Sequence, residues 1–143
     1  MPKPKFVGFQ EIVVIPPEYK IVEVQESIAC DFNKDQAFSY LVEPALLSRW
    51  FYNVQSIDSK PGGKVKFLTE AGVQAEAVCT SFILGKQISM VSDEFGLFCG
   101  KVEKSGSKII FNLQFKTMTE NQKLLKDLYA NFVQNLRSIS GSL

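Results

Sequence analysis

Residues 119–140, TENQKLLKDLYANFVQNLRSIS, decide how the whole chain is read. Leu124, Leu125, Leu128, Tyr129, Phe132, Leu136 and Ile139 recur at the three- and four-residue spacing that lines one face of an α-helix. Thr119, with Gln122 three positions on, reads as a capping pair, and Gly141 stands where a helix terminator belongs. A helix with so broad an apolar stripe is stable only when something covers it. The cover has to come from the residues upstream.

Those residues read as short strands separated by turn signals. YNVQSID stops at Pro61-Gly62-Gly63, a hairpin turn rather than a phosphate loop, because a strand and not a helix follows it. KVKFLT puts Val65, Phe67 and Thr69 on one face, and VQAEAVCTSF does the same with Val73, Ala75, Ala77 and Cys79. KQISMV offers Ile88 and Met90 before Asp93-Glu94. FGLFCGKVE turns at Ser105-Gly106, and KIIFNLQFK alternates through Ile109, Phe111, Leu113 and Phe115.

Before these six comes KIVEVQESIACDF, whose Val22, Val24, Ile28 and Cys30 share a face with one carboxylate, Glu26. Asn33 and Gln36 then form a capping box ahead of a short helix with Ala37, Phe38, Leu41 and Val42 inward. Pro44 ends that helix and starts a second. The expected fold is α+β, a curved seven-stranded antiparallel sheet around the long C-terminal helix, with two short helices after the first strand. Residues 1–19, punctuated by Pro2, Pro4, Pro16 and Pro17, read as an N-terminal arm with an edge strand over 11–15, and residues 20–143 as a single domain. Ala75, Ala77 and Cys79 are too small to fill the interior alone. The sheet must either close tightly on the helix or leave a cavity.

Composition excludes several functions. Sixteen Lys and Arg against fifteen Asp and Glu, interspersed, leave no basic stripe for nucleic acid. No apolar run approaches the roughly 18 residues that a membrane helix requires, so membrane insertion is not expected. Cys30, Cys79 and Cys99 sit singly in apolar runs, which suits buried thiols in a cytoplasmic protein. The sequence has no histidine, which removes the commonest general base and zinc ligand. No catalytic or metal-ligating residue is assigned, and no cofactor is expected.

The segment from Glu43 to Gly63 carries a resemblance. Glu43, Pro44, Leu47, Trp50 and Phe51, followed by Gly62-Gly63, are similar to the D/E-P-x-x-L/I-x-x-W-aromatic segment and Gly-Gly turn of the START or birch-pollen-allergen-like (SRPBCC) superfamily. Within it the chain most resembles bacterial relatives of the activator of the ninety-kilodalton heat-shock protein's ATPase. The resemblance covers residues 20–140 and implies the helix-grip fold. Two features depart from it. Tyr129 stands where the family often has a Gly-Trp pair near the start of the last helix, and KIIFNLQF lacks the threonine often found in the last strand.

Candidate ligand contacts follow from the expected interior: Glu26, Trp50, Tyr52, Phe67, Met90, Phe111, Leu113, Phe115, Leu128 and Phe132. The apolar side chains among these read more readily as plain core than as ligand contacts, because an apolar stripe is more often packing than a ligand box. Glu26 either faces inward to orient a polar group on a ligand or is carried into water by a bulge. Arg49 is expected to pair with Asp58 or Glu76. Phe95 and Phe98 are read as an exposed rim or as a turn tucked under the helix. The leading expectation is non-catalytic binding of a small hydrophobic ligand between the sheet and the last helix. A protein-partner module with a filled core, as the resemblance to a chaperone activator implies, is the alternative. A cyclase- or dehydratase-like enzyme, also implied by the superfamily, is disfavoured by the missing acid–base groups.

Overall fold

The computed structural model describes residues 19–141, so the arm expected over 1–19, with its edge strand, lies almost wholly outside the described residues. Seven strands form one antiparallel sheet: β1 (Lys20–Cys30), β2 (Asn53–Ile57), β3 (Lys64–Leu68), β4 (Gln74–Ile83), β5 (Gln87–Ser92), β6 (Gly96–Ser105) and β7 (Lys108–Thr119). Their order across the sheet is β1-β7-β6-β5-β4-β3-β2, a meander whose last strand returns to pair with the first. Three helices complete the described residues: α1 (Lys34–Val42), α2 (Pro44–Leu47) and α3 (Gln122–Ser140). The curved sheet wraps one face around α3, and the two short helices follow β1, as expected.

Local chemistry sets the boundaries. Asn33 Oδ1 accepts from the Gln36 N–H (2.8 Å), and the Gln36 side chain accepts in return from the Asn33 N–H (3.2 Å). The cap of α3 differs from expectation. Asn121, not Thr119, accepts from a first-turn amide, that of Leu124, while the Thr119 hydroxyl accepts from the Asn121 N–H. β7 runs four residues past Phe115, the last member of its apolar alternation, through Thr119, and this pushes the cap along the chain. The extension also places Thr117 in the last strand, where the alternating core KIIFNLQF had shown no threonine. Gly141 ends α3 in the left-handed conformation (φ 81°), which costs glycine little.

Gly63 explains the Pro-Gly-Gly turn. A β-carbon there would lie 2.1 Å from the Asp58 carbonyl oxygen, so only glycine allows the chain to pass. Its N–H donates to the Lys60 carbonyl, and its own carbonyl accepts from Cys79 in β4, locking the turn to the sheet.

One face of the sheet is apolar and covered. α3 packs against β1 and β7, and α1 against β5, β6 and β7. Phe95 and Phe98 are wholly buried, and the Phe95 carbonyl accepts from Tyr129 of α3, so of the two readings the tucked turn holds and the exposed rim does not. Val73, expected inward, sits instead in the turn before β4 and is exposed. Cys30 and Cys79 are buried, whereas Cys99 points to the outer face and is half-buried.

Candidate functional site

The segment between α2 and β2 delivers the aromatic triplet to the interior. The Ser48 hydroxyl donates to the Pro44 carbonyl (2.6 Å) and accepts from the Val54 N–H (2.8 Å), tying the end of α2 to the start of β2. Trp50, Phe51 and Tyr52 lie within this closed turn, and all three are buried. Trp50 donates its indole N–H to the Tyr40 carbonyl (2.8 Å). Arg49 does not reach Asp58 or Glu76. It donates to the Tyr40 hydroxyl (2.8 Å) and lies 5.7 Å from the centre of that ring. The two carboxylates instead face Lys60 and Lys64 across exposed ion pairs.

Between sheet and helix the space is occupied by rings. Phe51 meets Phe132 at 4.6 Å between centroids, Tyr52 meets Phe67 at 4.8 Å, Phe98 meets Phe115 at 5.1 Å and Phe115 meets Tyr129 at 4.8 Å. These are contact distances for aromatic pairs. Trp50, Phe67, Met90, Phe111, Leu113, Phe115 and Phe132 are thus brought together as packed core. The small side chains of β4 are compensated by aromatics from other elements. Tyr129 donates its hydroxyl to the Phe95 carbonyl and lies near Thr117, and burial raises its pKa to about 12.

Glu26 stands apart from this group. β1 pairs with β7 in unbroken register from Lys20↔Thr119 to Cys30↔Ile109, so no bulge carries the carboxylate away. It turns to α3 and forms a 2.9 Å ion pair with Arg137 in the last helical turn, with both side chains partly exposed. A cation at a helix C-terminus is also well placed against the helix dipole.

The opening lies at the other end of α3. An antiparallel meander brings alternate turns to one edge: the β3–β4 turn, the β5–β6 turn, the start of β2 and the β7–α3 junction all gather there. A cleft of about 360 Å³ opens at that edge. Leu124, Leu125 and Leu128 of α3 form its apolar wall, Tyr52 lies at its base, and Glu70, Glu94 and Asp127 stand around it. Of the residues singled out in the sequence, Tyr52 and Leu128 reach this mouth. Glu26, nine residues beyond Leu128 through its partner Arg137, is displaced by about 13 Å along the helix axis.

Tyr52 is 7% exposed and has no hydrogen-bond partner among the described residues. Burial, then the fields of Glu94 and Glu70, push its pKa well above the ordinary phenol value. The sequence reading assigned no site role to the rim carboxylates, and it took Leu124 only as part of the apolar stripe of α3. The signal was topological: Glu70 and Glu94 lie in turns two apart in a meander, so both emerge at the same edge as the first turns of α3.

A larger groove of about 480 Å³ crosses the outer face over β1, β7 and β6. Glu26 and Leu113 are among its lining residues. Part of its polar lining is already engaged, with Ser27 donating to Asn112 (2.6 Å) and Gln114 to the neighbouring Glu23 (2.9 Å). No group of three or more potential metal-ligating side chains converges among the described residues, and no described helix is long and apolar enough to cross a membrane.

A sheet wrapped on a C-terminal helix, with a mouth between the two, defines a START-like, helix-grip fold. Solved structures that share it include the Aha1 dimer from Colwellia psychrerythraea, with TM-score 0.67 and 15% identity, over 85% of this chain and 96% of that one. A protein from Nitrosomonas europaea aligns with TM-score 0.63 and 13% identity, over 87% and 96% of the two chains. A protein of unknown function from Staphylococcus aureus aligns with TM-score 0.63 and 15% identity, over 87% and 92%. No protein-family model matches the sequence, and no curated protein matches it.

Proposed function

We propose that the domain binds a small molecule with an apolar body at the mouth between α3 and the sheet, and holds it without transforming it. The observation that carries this reading is the cleft of about 360 Å³, which combines a leucine wall with the unpartnered phenol of Tyr52. Its volume lies at the low end for small-molecule sites, so the ligand is of single-ring or short-chain size rather than a two-chain lipid. Behind the mouth the aromatic core leaves the ligand at the surface instead of engulfing it. The absence of histidine favours binding over acid–base catalysis. Three free cysteines suit a reducing, cytoplasmic setting.

The test is native mass spectrometry of freshly purified full-length protein, followed by thermal-shift measurements with small aromatic and aliphatic compounds. A ligand that binds only the folded state raises Tm with concentration. Leu124 is 59% exposed, so Leu124→Asp leaves the fold intact and should abolish that shift. A shift equal in the variant would contradict binding at the mouth.

A second reading, a partner-binding module, is favoured by the filled interior and by an outward apolar row. Val78 pairs with Val91, and Val91 with Leu97, across β4, β5 and β6, with both valines exposed. The Colwellia protein is described as a dimer. Concentration-dependent self-association that Val91→Lys abolishes would support this reading.

A further inference from the structure

Charge at the mouth is one-sided. Glu70 comes from the β3–β4 turn, Glu94 from the β5–β6 turn and Asp127 from α3, so three separate elements each bring a carboxylate to one cleft. Among the described residues no lysine or arginine lines it, although Lys and Arg outnumber Asp and Glu by sixteen to fifteen in the chain as a whole. Lys123 and Lys126 lie on α3 close by in sequence but do not line the opening. The remaining polar lining, Thr69 and Asn131, is uncharged.

A ring of carboxylates alone would be ordinary solvated surface. Here a second observation points to a ligand. Tyr52 is more than nine-tenths buried, lines the same cleft and has no hydrogen-bond partner among the described residues. Its oxygen is not sealed off, since no buried side-chain polar atom lacks a partner among the described residues. The hydroxyl is therefore available to a group that enters the cleft. Carboxylates set above an apolar wall concentrate their field within it, because field lines spread less through the low-dielectric side.

We propose that the ligand of this mouth is an amphipathic cation, an aryl- or alkyl-ammonium whose apolar body lies on Leu124, Leu125 and Leu128 while its charged nitrogen faces Glu70, Glu94 and Asp127. This rests on the reading of the mouth as the binding site and adds the sign of the ligand's charge. The ammonium donates hydrogen bonds to the carboxylates, and the Tyr52 oxygen accepts another. An anionic ligand of the same shape meets three like charges and is rejected.

The experiment is a heteronuclear NMR titration of full-length protein with tryptamine and with indolepropionate, which share a ring and differ in the sign of their charge. Tryptamine is expected to bind about tenfold more tightly, moving the amides of Tyr52, Glu94, Leu124 and Leu128. The preference should shrink as ionic strength rises from about 0.01 M to about 0.15 M, as screening shortens the reach of exposed charges. The double variant Glu70→Gln, Glu94→Gln, whose exposed side chains leave the core untouched, should erase the preference while keeping the spectrum of the folded protein. Equal affinity for the two compounds at the mouth, or tighter binding of the anion, would overturn the assignment of charge and leave the mouth reading standing. No movement of mouth amides with either compound up to about 1 mM would overturn both.

Discussion

Tyr129 and Tyr52 are the two phenols buried at the contact of helix and sheet, and each has a measurable consequence. Their pKa values are raised in the folded protein, Tyr129 to about 12 and Tyr52 in the same direction, and Cys30 and Cys79 are also raised from a thiol's 9.0 by burial. The unfolded chain therefore releases these protons first. Their contribution to stability is complete below about pH 9 and falls as pH climbs toward 12. Urea midpoints measured across that range should decline, and Tyr129→Phe should flatten part of the slope. The same variant loses the buried hydrogen bond to Phe95, at a cost of about 1–2 kcal/mol at neutral pH. Glu26→Gln should behave differently. Its ion pair with Arg137 is partly exposed, so a chemical-denaturation curve should move by less than about 1 kcal/mol, and ligand binding at the mouth should not change.

Element boundaries make a sharper set of claims. Asn121 caps α3, so Asn121→Ala should destabilise by about 1 kcal/mol in denaturant unfolding. Thr119→Ala removes a hydroxyl that supports the cap residue rather than the helix amides, and should cost less. Gly63→Ala faces the Asp58 carbonyl oxygen at 2.1 Å and should lower Tm by several degrees, because the turn must open before β3 can pair with β4. An alanine at Gly63 with unchanged Tm would mean that this turn is not held as described.

At the scale of the whole molecule, the elements were legible because periodicity reports them directly: the stripe of α3, the alternation of β7 and the capping box at Asn33 all stand where the sequence put them. The partner of Glu26 was not legible, since Arg137 lies 111 residues away and only the β1–β7 return brings them together. A filled interior and a hollow one also look alike in sequence. Phe51, Phe115 and Phe132 are apolar in either case, and only their ring separations decide that they meet one another. The mouth was hidden for the same reason, because its carboxylates come from three elements with no common motif. The central claim is that this packing leaves the mouth, and not the interior, as the place where ligands bind. Crystallographic fragment screening tests it most directly. Fragments are expected to collect against Tyr52, Leu124 and Leu128, with none between Phe51, Phe115 and Phe132. Fragments lodged among those three rings, or found only in the outer groove, would contradict it.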